Sequence, residues 1–182
     1  MVYESMFGVT HRAANAICLG LCQGMDAMVF TVHEADPLAL GNPDLLVIGA
    51  PTQEHGLSLP LARADAVTQS LIQSPRQLDQ AAGGIGVREW LAVLPSMDGF
   101  YAAFDTRLRK IRLATGSAAA QIDRRLRSRG LIRAIASESF FISSATELED
   151  GEEERARDWG EELARLFSGF EPGSPGGTKP DS

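Results

Sequence analysis

Lysine is almost missing from this chain, and acidic residues outnumber basic ones. The 182 residues carry 17 Lys and Arg against 24 Asp and Glu, a formal net charge of −7, and the lysines are Lys110 and Lys179. Nucleic acids and anionic membranes are bound by basic surfaces. The composition therefore disfavours both as partners and fits a basic protein partner better.

Long apolar runs and cysteines are also scarce. No apolar run approaches the ~20 residues of a membrane-spanning helix, and the N-terminal residues lack a basic stretch followed by an apolar core. We therefore expect a cytoplasmic protein. Cys18 and Cys22 lie four residues apart, on one face of a predicted helix. In the cytosol such a pair is reduced and usually packs in the core, unless other ligands of a redox or metal site lie nearby.

Several motifs of catalysis and nucleotide binding do not occur. There is no Gly-x-Ser-x-Gly elbow, and the Asp and His positions do not follow the order of hydrolase triads. The His, Cys and Asp residues do not show the spacing of metal ligands. Neither the Walker loop nor the Gly-x-Gly-x-x-Gly fingerprint is present. A phosphate site without lysine is what remains.

That phosphate site is the turn from Ser5 to Thr10, which joins a short apolar strand, Met1–Glu4, to a helix. At such a junction, unpaired N–H groups and the positive end of the helix dipole converge on one point. The hydroxyls of Ser5 and Thr10 can donate further hydrogen bonds, and Gly8 lets the backbone come close to a ligand. The turn therefore predicts an anion site.

Strand and helix patterns alternate five times along the chain. Helices are predicted from apolar residues at helical spacing, and strands from short, continuous apolar runs typical of sheets covered on both faces. The predicted strands are 1–4, 27–32, 45–49, 99–104 and one within 131–142, and the predicted helices are 10–23, 60–72, 87–94, 118–128 and 151–167. The alternation predicts an α/β domain over residues 1–168, with a parallel sheet between helices. Residues 169–182, rich in Gly, Pro and Ser, are predicted to be a disordered tail.

Two more polar segments follow predicted strands. One is the loop Ala50–Ser58, and the other is Asp105–Arg107, which precedes a predicted helix N-cap at Thr115–Ser117. Ligands of open α/β sheets bind at the carboxyl ends of the strands. The turn Ser5–Thr10 and these two segments are therefore expected at one edge of the sheet.

These segments resemble the flavodoxin family, most closely the flavodoxin-domain proteins of actinobacteria. The stretches that carry the resemblance are Val2–Thr10, Asp44–Thr52 with His55–Leu57, Phe104–Arg107 and Thr115–Ala118. The resemblance implies a flavodoxin-like three-layer sandwich with a five-stranded parallel sheet of order 2-1-3-4-5. It also implies non-covalent binding of flavin mononucleotide (FMN) beside the first strand.

The resemblance assigns a role to each of the three segments. Phosphate would be held by Ser5, Met6, Phe7, Gly8, Val9 and Thr10. One side of the isoalloxazine would be lined by Pro51, Thr52, Gln53, Glu54, His55 and Gly56, and the other by Asp105, Thr106 and Arg107. His55, the one ring in its loop, either stacks on the flavin or is an exposed loop histidine. The protein would transfer electrons to or from a redox partner protein, and acidic charge near the flavin would lower its reduction potential.

Two alternative functions stay open at this point. A small FMN-dependent reductase would pass electrons from a nicotinamide cofactor to a quinone-type acceptor, although the sequence has no recognisable nicotinamide site. A flavin-free interaction domain is favoured by Val9, which stands where flavodoxins usually have Asn, and by flavin loops without Trp or Tyr. Met1–Glu4 is short for a central strand. We therefore expect either a start upstream of Met1 or a destabilised domain that binds flavin poorly.

Overall fold

The computed structural model describes residues 1–53, 56–73, 84–109, 116–144 and 146–168. The strands are β1 (Val2–Tyr3), β2 (Phe30–Thr31), β3 (Leu45–Pro51), β4 (Phe100–Leu108), β5 (Ile132–Arg133), β6 (Glu138–Ser144) and β7 (Glu147–Leu148). The helices are α1 (Val9–Leu21), α2 (Pro60–Gln73), α3 (Val87–Val93), α4 (Ala118–Arg127) and α5 (Glu152–Phe167). Glu54, His55 and the predicted tail lie outside the described residues.

The described strands form one sheet in the order β2-β1-β3-β4-β6-β7, and β5 also pairs with β4. Every pairing is parallel except that of β6 with β7. β5 and β6 pair with successive parts of β4, at Phe100–Tyr101 and at Phe104–Leu108, so they share the place of a single fifth strand. The predicted order 2-1-3-4-5 is therefore confirmed. The antiparallel strand β7 was not predicted.

β1 lies in the middle of the sheet although it contains two residues. Val2–Tyr3 pairs with Phe30–Thr31 on one side and with Ile48–Gly49 on the other. The pairing continues past the strand, because the Glu4 N–H donates to Gly49 O at 3.0 Å. β1 is therefore bonded on both sides along its whole length.

Two apolar cores lie on opposite faces of the sheet. α1 and α5 cover one face, where the rings of Phe104, Phe140 and Trp159 meet with centroids 5.9 to 6.3 Å apart. α3 and α4 cover the other face, where Trp90 and Tyr101 are fully buried. Coverage on both faces explains why the central strands are continuous apolar runs rather than alternating ones.

Asp105, Thr106 and Arg107 lie in β4 and not in a loop, so this part of the prediction is wrong. β4 continues to Leu108, and the three residues pair with Ser139–Phe141 of β6. The apolar pattern stops at Phe104, which is why the sequence placed the end of the strand there. The three polar side chains are nevertheless buried, because hydrogen bonds to neighbouring elements compensate for their loss of water.

Candidate functional site

The turn from Ser5 to Thr10 connects β1 to α1 at the carboxyl edge of the sheet. Gly8 is the N-cap of α1 and has φ 82° and ψ −11°, a left-handed conformation that favours glycine. The Gly8 N–H donates to Ser5 Oγ at 3.0 Å, so the Ser5 hydroxyl stabilises the turn from within. The predicted turn between β1 and α1 is therefore present, with Ser5 and Gly8 in it.

The N-terminus of α1 differs from those of α4 and α5. In α4 the first-turn N–H groups are already bound by side chains, because Ala118, Ala119 and Ala120 donate to Thr52 Oγ1, Asp105 Oδ2 and Ser117 Oγ. The first turn of α5 carries three glutamates, which disfavour an anion. Among the described residues, no side chain caps α1, and its first turn has no acidic residue. An anion can therefore bind the N–H groups of α1.

Successive side chains of β4 point to opposite faces of the sheet. Thr106 faces α1, and its hydroxyl oxygen lies 2.8 Å from the hydroxyl oxygen of Thr10, with both residues buried. Arg107 faces α4, where its Nη1 donates to Gly116 O at 2.9 Å. Two segments that are 96 residues apart in the chain are thus joined by one hydrogen bond at the turn from Ser5 to Thr10. Arg107 lies at the same edge of the sheet, on the face that α4 covers.

Asp105 connects three elements through a single oxygen. Its Oδ2 accepts hydrogen bonds from Thr52 Oγ1 at 2.8 Å, Ser117 Oγ at 2.6 Å and Ala119 N at 3.1 Å. The residue is fully buried, and among the described residues its other oxygen, Oδ1, has no hydrogen-bond partner. A buried acceptor without a donor is unfavourable. A ligand N–H or hydroxyl group would satisfy it.

Gln53 and Gly56, which follow β3, pair with each other and close a turn next to the turn from Ser5 to Thr10. The Gln53 N–H donates to Gly56 O at 2.9 Å, and the Gly56 N–H donates to Gln53 O at 2.8 Å. Gly56 has φ 145°, and a Cβ there would lie 2.0 Å from Gln121 Nε2. The Gln53 amide contacts the sulfur of Met6, which links the two turns. The roles predicted for Glu54 and His55 concern residues that the structure does not describe.

A buried polar network beneath these turns was not predicted from the sequence. Glu4 accepts a hydrogen bond from the Ser58 hydroxyl and another, at 2.8 Å, from the Val87 N–H. Arg63 Nη1 donates to Ser58 Oγ at 2.8 Å, and Arg63 Nη2 lies 2.5 Å from Glu89 Oε2. The network connects the end of β1 to α2, to α3 and to the chain that leaves the turn after β3. Its one signal in the sequence is a glutamate directly after an apolar strand.

The described parts of the chain contain neither a candidate metal centre nor a helix that could span a membrane. No group of three or more His, Cys, Asp or Glu side chains there could hold a metal ion. No helix there is both long enough and apolar enough to cross a membrane.

Comparison with known proteins shows similarity at the level of structure. No protein-family model matches the chain, and no curated protein matches its sequence at a significant level. Oxidised flavodoxin 1 from Bacillus cereus superposes with a TM-score of 0.64 at 17% identity, over 91% of this chain and 95% of its own. A flavodoxin from Streptococcus pneumoniae TIGR4 gives 0.62 at 20% identity, over 90% and 95% of the two chains.

A third similar structure is a flavodoxin described as WrbA-like, from Agrobacterium tumefaciens. It superposes with a TM-score of 0.55 at 20% identity, over 93% of this chain and 96% of its own. The TM-scores over nearly complete chains show a shared fold, and sequence identities of 17 to 20% show nothing beyond the fold. The chain therefore has the flavodoxin-like fold, and the resemblance seen in the sequence is confirmed at that level. The actinobacterial subtype stays a prediction.

Proposed function

We propose that this chain, which has the flavodoxin-like fold, binds FMN at the carboxyl edge of its sheet and carries electrons for a partner protein. The observation that carries the proposal is the uncapped, non-acidic N-terminus of α1 beside the carboxyl ends of β3 and β4. This N-terminus suits the phosphate of FMN. The adjacent ends of β3 and β4 supply Thr52 and Asp105 for the rest of the molecule.

The residues present fit FMN in their donors and acceptors. The N–H groups at the start of α1 are donors for phosphate, and Asp105 Oδ1 is an acceptor for a flavin N–H or a ribityl hydroxyl. The side chains of Met6, Phe7 and Val9 have no hydrogen-bond donor for phosphate. The phosphate would therefore be held mainly by backbone N–H groups, as other helix N-termini hold anions.

When bound, FMN supplies the redox chemistry, and the protein supplies binding, orientation and electrostatics. Gly8 keeps the backbone of the phosphate turn accessible, since a Cβ built there meets no atom within 4 Å. The bond between Thr10 and Thr106 holds the turn against β4. The negative charge of Asp105 opposes the gain of negative charge near it. Asp105 would therefore lower the reduction potential of the bound cofactor.

Titration with two flavins tests the proposal. The purified chain is titrated with FMN and with riboflavin, which lacks the phosphate, while the quenching of flavin fluorescence is measured. We expect FMN to bind about tenfold or more tightly, because the phosphate makes charge-assisted hydrogen bonds. Equal affinities would exclude the phosphate turn as the anchor. Binding of neither flavin would overturn the proposal in favour of a flavin-free domain.

A matched pair of glycine variants tests the turn itself. Gly8 and Gly151 are both helix N-caps with φ near 80°, 82° and 79°, and a Cβ on either meets nothing within 4 Å. Gly8→Ala and Gly151→Ala should therefore cost similar stability. Gly8→Ala alone should weaken FMN binding, by about tenfold, because it shifts the N–H groups that face the phosphate. The same loss in both variants would argue against the assignment.

The reductase alternative predicts a different activity. Once FMN is bound, a reductase would consume reduced nicotinamide cofactor and a quinone without any added protein. A carrier would be reduced and reoxidised only when redox partner proteins are present. Turnover with small molecules alone would therefore replace the carrier proposal by the reductase.

A further inference from the structure

A cavity of about 570 Å³ lies on the α4 face of the sheet, beside the carboxyl half of β4. It is bordered by Arg107, by the first turns of α4 and by the chain between β5 and β6. Its volume is within the range of small-molecule sites, which is about 300 to 1,000 Å³. The phosphate turn lies toward the other face, where Thr10 meets Thr106. The cavity is therefore a separate site from the N-terminus of α1.

The cavity exists because the fifth strand of the sheet is interrupted. β5 pairs with Phe100–Tyr101, β6 begins to pair at Phe104, and the chain between them leaves the edge of β4. Ala136, Ser137 and Ser139 then line the space that opens next to α4. An uninterrupted parallel strand would fill this space with backbone. The interruption thus creates a lined pocket and leaves two positions of β4, Ala102 and Ala103, without a partner among the described residues on this side.

Among the described residues, the lining combines two cations with hydroxyl groups and small apolar groups. Arg107 and Arg133 contribute the guanidinium groups, Ser117, Ser137 and Ser139 the hydroxyls, and three alanines the apolar surface. Asp123 also lines the cavity, and its carboxylate is already bound by the Tyr101 hydroxyl at 2.6 Å and by Arg127 at 2.8 Å. Its charge is therefore largely compensated from outside the cavity.

Arg133 is placed to bind an incoming anion. Its side chain is 48% exposed, and its ion pair with Asp123 is long, at 3.4 Å. A weak, half-exposed pair contributes little stability. The guanidinium can therefore turn toward a ligand without loss of a strong bond, and its planar donors suit carboxylate or phosphate oxygens.

We propose that this cavity binds a small organic anion whose carboxylate or phosphate group is held by Arg133 and Arg107, with the serine hydroxyls as further donors. The alanine methyl groups contact the organic part, which favours an organic molecule over a bare inorganic ion. Ser117 lines the cavity and also donates to Asp105 at 2.6 Å. A ligand in the cavity is therefore expected to influence the Asp105 network as well.

The test is calorimetric titration of the full chain with glycerol 3-phosphate, succinate and neutral glycerol at matched ionic strength. We expect saturable binding of at least one of the two anions and none of glycerol. Preference for glycerol 3-phosphate or for succinate identifies the phosphate or the carboxylate as the recognised group. Absence of saturable binding by both would overturn the proposal, whatever the outcome of the FMN titration.

Two arginine variants locate the site. Arg133 and Arg127 both form ion pairs with Asp123, but Arg133 lines the cavity and Arg127 is not among its lining residues. Arg133→Gln should weaken anion binding by about tenfold, the loss expected for a hydrogen bond to a charged group. Arg127→Gln should change it by less than about twofold. Equal effects of the two variants, or no effect of Arg133→Gln, would contradict the proposed site.

Amide chemical shifts give an independent readout that does not depend on either arginine. On titration with the anion that binds, the largest shifts in a proton–nitrogen NMR spectrum should fall on Ser117–Ala120 and Ser137–Ser139. Shifts concentrated at Ser5–Thr10 instead would place the anion at the N-terminus of α1 and overturn the assignment to the cavity.

Discussion

At the scale of single residues, the hydroxyl group of Ser117 has two structural roles. It accepts a hydrogen bond from the Ala120 N–H at 3.1 Å, which makes it the N-cap of α4, and it donates to Asp105 Oδ2 at 2.6 Å. The first function was predicted from the Thr-Gly-Ser pattern before a helix. The second depends on a strand that lies twelve residues earlier in the chain.

We predict that Ser117→Ala lowers the free energy of unfolding by about 2 kcal/mol, since it removes a helix cap and a hydrogen bond to a buried carboxylate. The control is Ser128→Ala at the other end of α4, where the exposed hydroxyl donates to Arg125 O. That change should cost less than about 0.5 kcal/mol. Urea denaturation measures both values, and similar losses would show that neither the cap nor the bond to Asp105 stabilises the protein.

The two cysteines share a helix face, as predicted, but their environments differ. Their sulfur atoms lie 4.0 Å apart. Cys22 is exposed, so the expectation that the pair packs in the core is wrong for this residue, and Cys18 is half-buried. Burial, followed by the neighbouring Cys22 thiol, raises the pKa of Cys18 to about 11.

This pKa predicts that stability falls at alkaline pH. The unfolded chain loses the Cys18 proton near the usual value of 9.0, whereas the folded chain keeps it up to about 11. The stabilisation is therefore complete below the first value and is lost as the pH rises to the second. Burial and the bond to Asp123 also raise the pKa of Tyr101, so deprotonation of this residue likewise lowers stability as the pH rises. Denaturation across this pH interval should show a decline that is shallower in Cys18→Ala, and an identical decline would contradict the assignment.

At the scale of secondary-structure elements, α1 and α5 pack unusually close together through two glycines. A Cβ on Gly160 would lie 2.2 Å from Ile17 O, and a Cβ on Gly20 would lie 2.1 Å from Arg157 O. Contacts this short with backbone atoms cannot be relieved by a side-chain rotation. The two helices would have to separate, and with them the apolar core that they share over Phe104.

We predict that Gly160→Ala destabilises the protein by about 2 kcal/mol or more, because overpacking against backbone moves the helix. Helix propensity alone predicts the opposite, a gain of about 1 kcal/mol when alanine replaces glycine. The sign of the change in urea denaturation therefore separates the two effects. Asp158→Ala, at an exposed position of the same helix, serves as the control and should change stability by less than about 0.5 kcal/mol.

At the scale of the whole molecule, the candidate flavin site joins parts of the chain that are distant in sequence. The turn after β1, the end of β3 and the end of β4 meet at one edge of the sheet. Hydrogen bonds between Thr52, Asp105 and Ser117 connect the ends of β3 and β4 to the start of α4. A ligand bound at this edge would contact several elements of the native state at once. The same contacts do not exist in the unfolded chain.

We predict that FMN stabilises the folded protein by about 2.7 kcal/mol at a concentration of about one hundred times its dissociation constant. Riboflavin at the same concentration should stabilise it less, because it lacks the phosphate that we propose binds at α1. Thermal or urea unfolding with each flavin measures the difference. Equal stabilisation by the two flavins would show that the phosphate turn does not take part in binding.

By itself the sequence determined the features that depend on local spacing. Helical periodicity located α1 and α5, apolar runs located β3 and β4, and the Ser5–Thr10 pattern located the turn with its left-handed Gly8. These signals are local because residues within a few positions of each other decide backbone conformation and amphipathicity. The strand order followed from the resemblance, and the structure confirms it.

Only the tertiary structure decided which polar groups meet. Thr10 with Thr106, Asp105 with Ser117 and Glu4 with Ser58 are pairs from different elements, and nothing in their local spacing indicates a partner. The same bonds allow polar residues to continue β4 past Phe104, because a buried polar group is tolerated where a partner from another element satisfies it. The cavity beside Arg133 has the same origin, since the break in the fifth strand is visible only when β5 and β6 are both paired with β4.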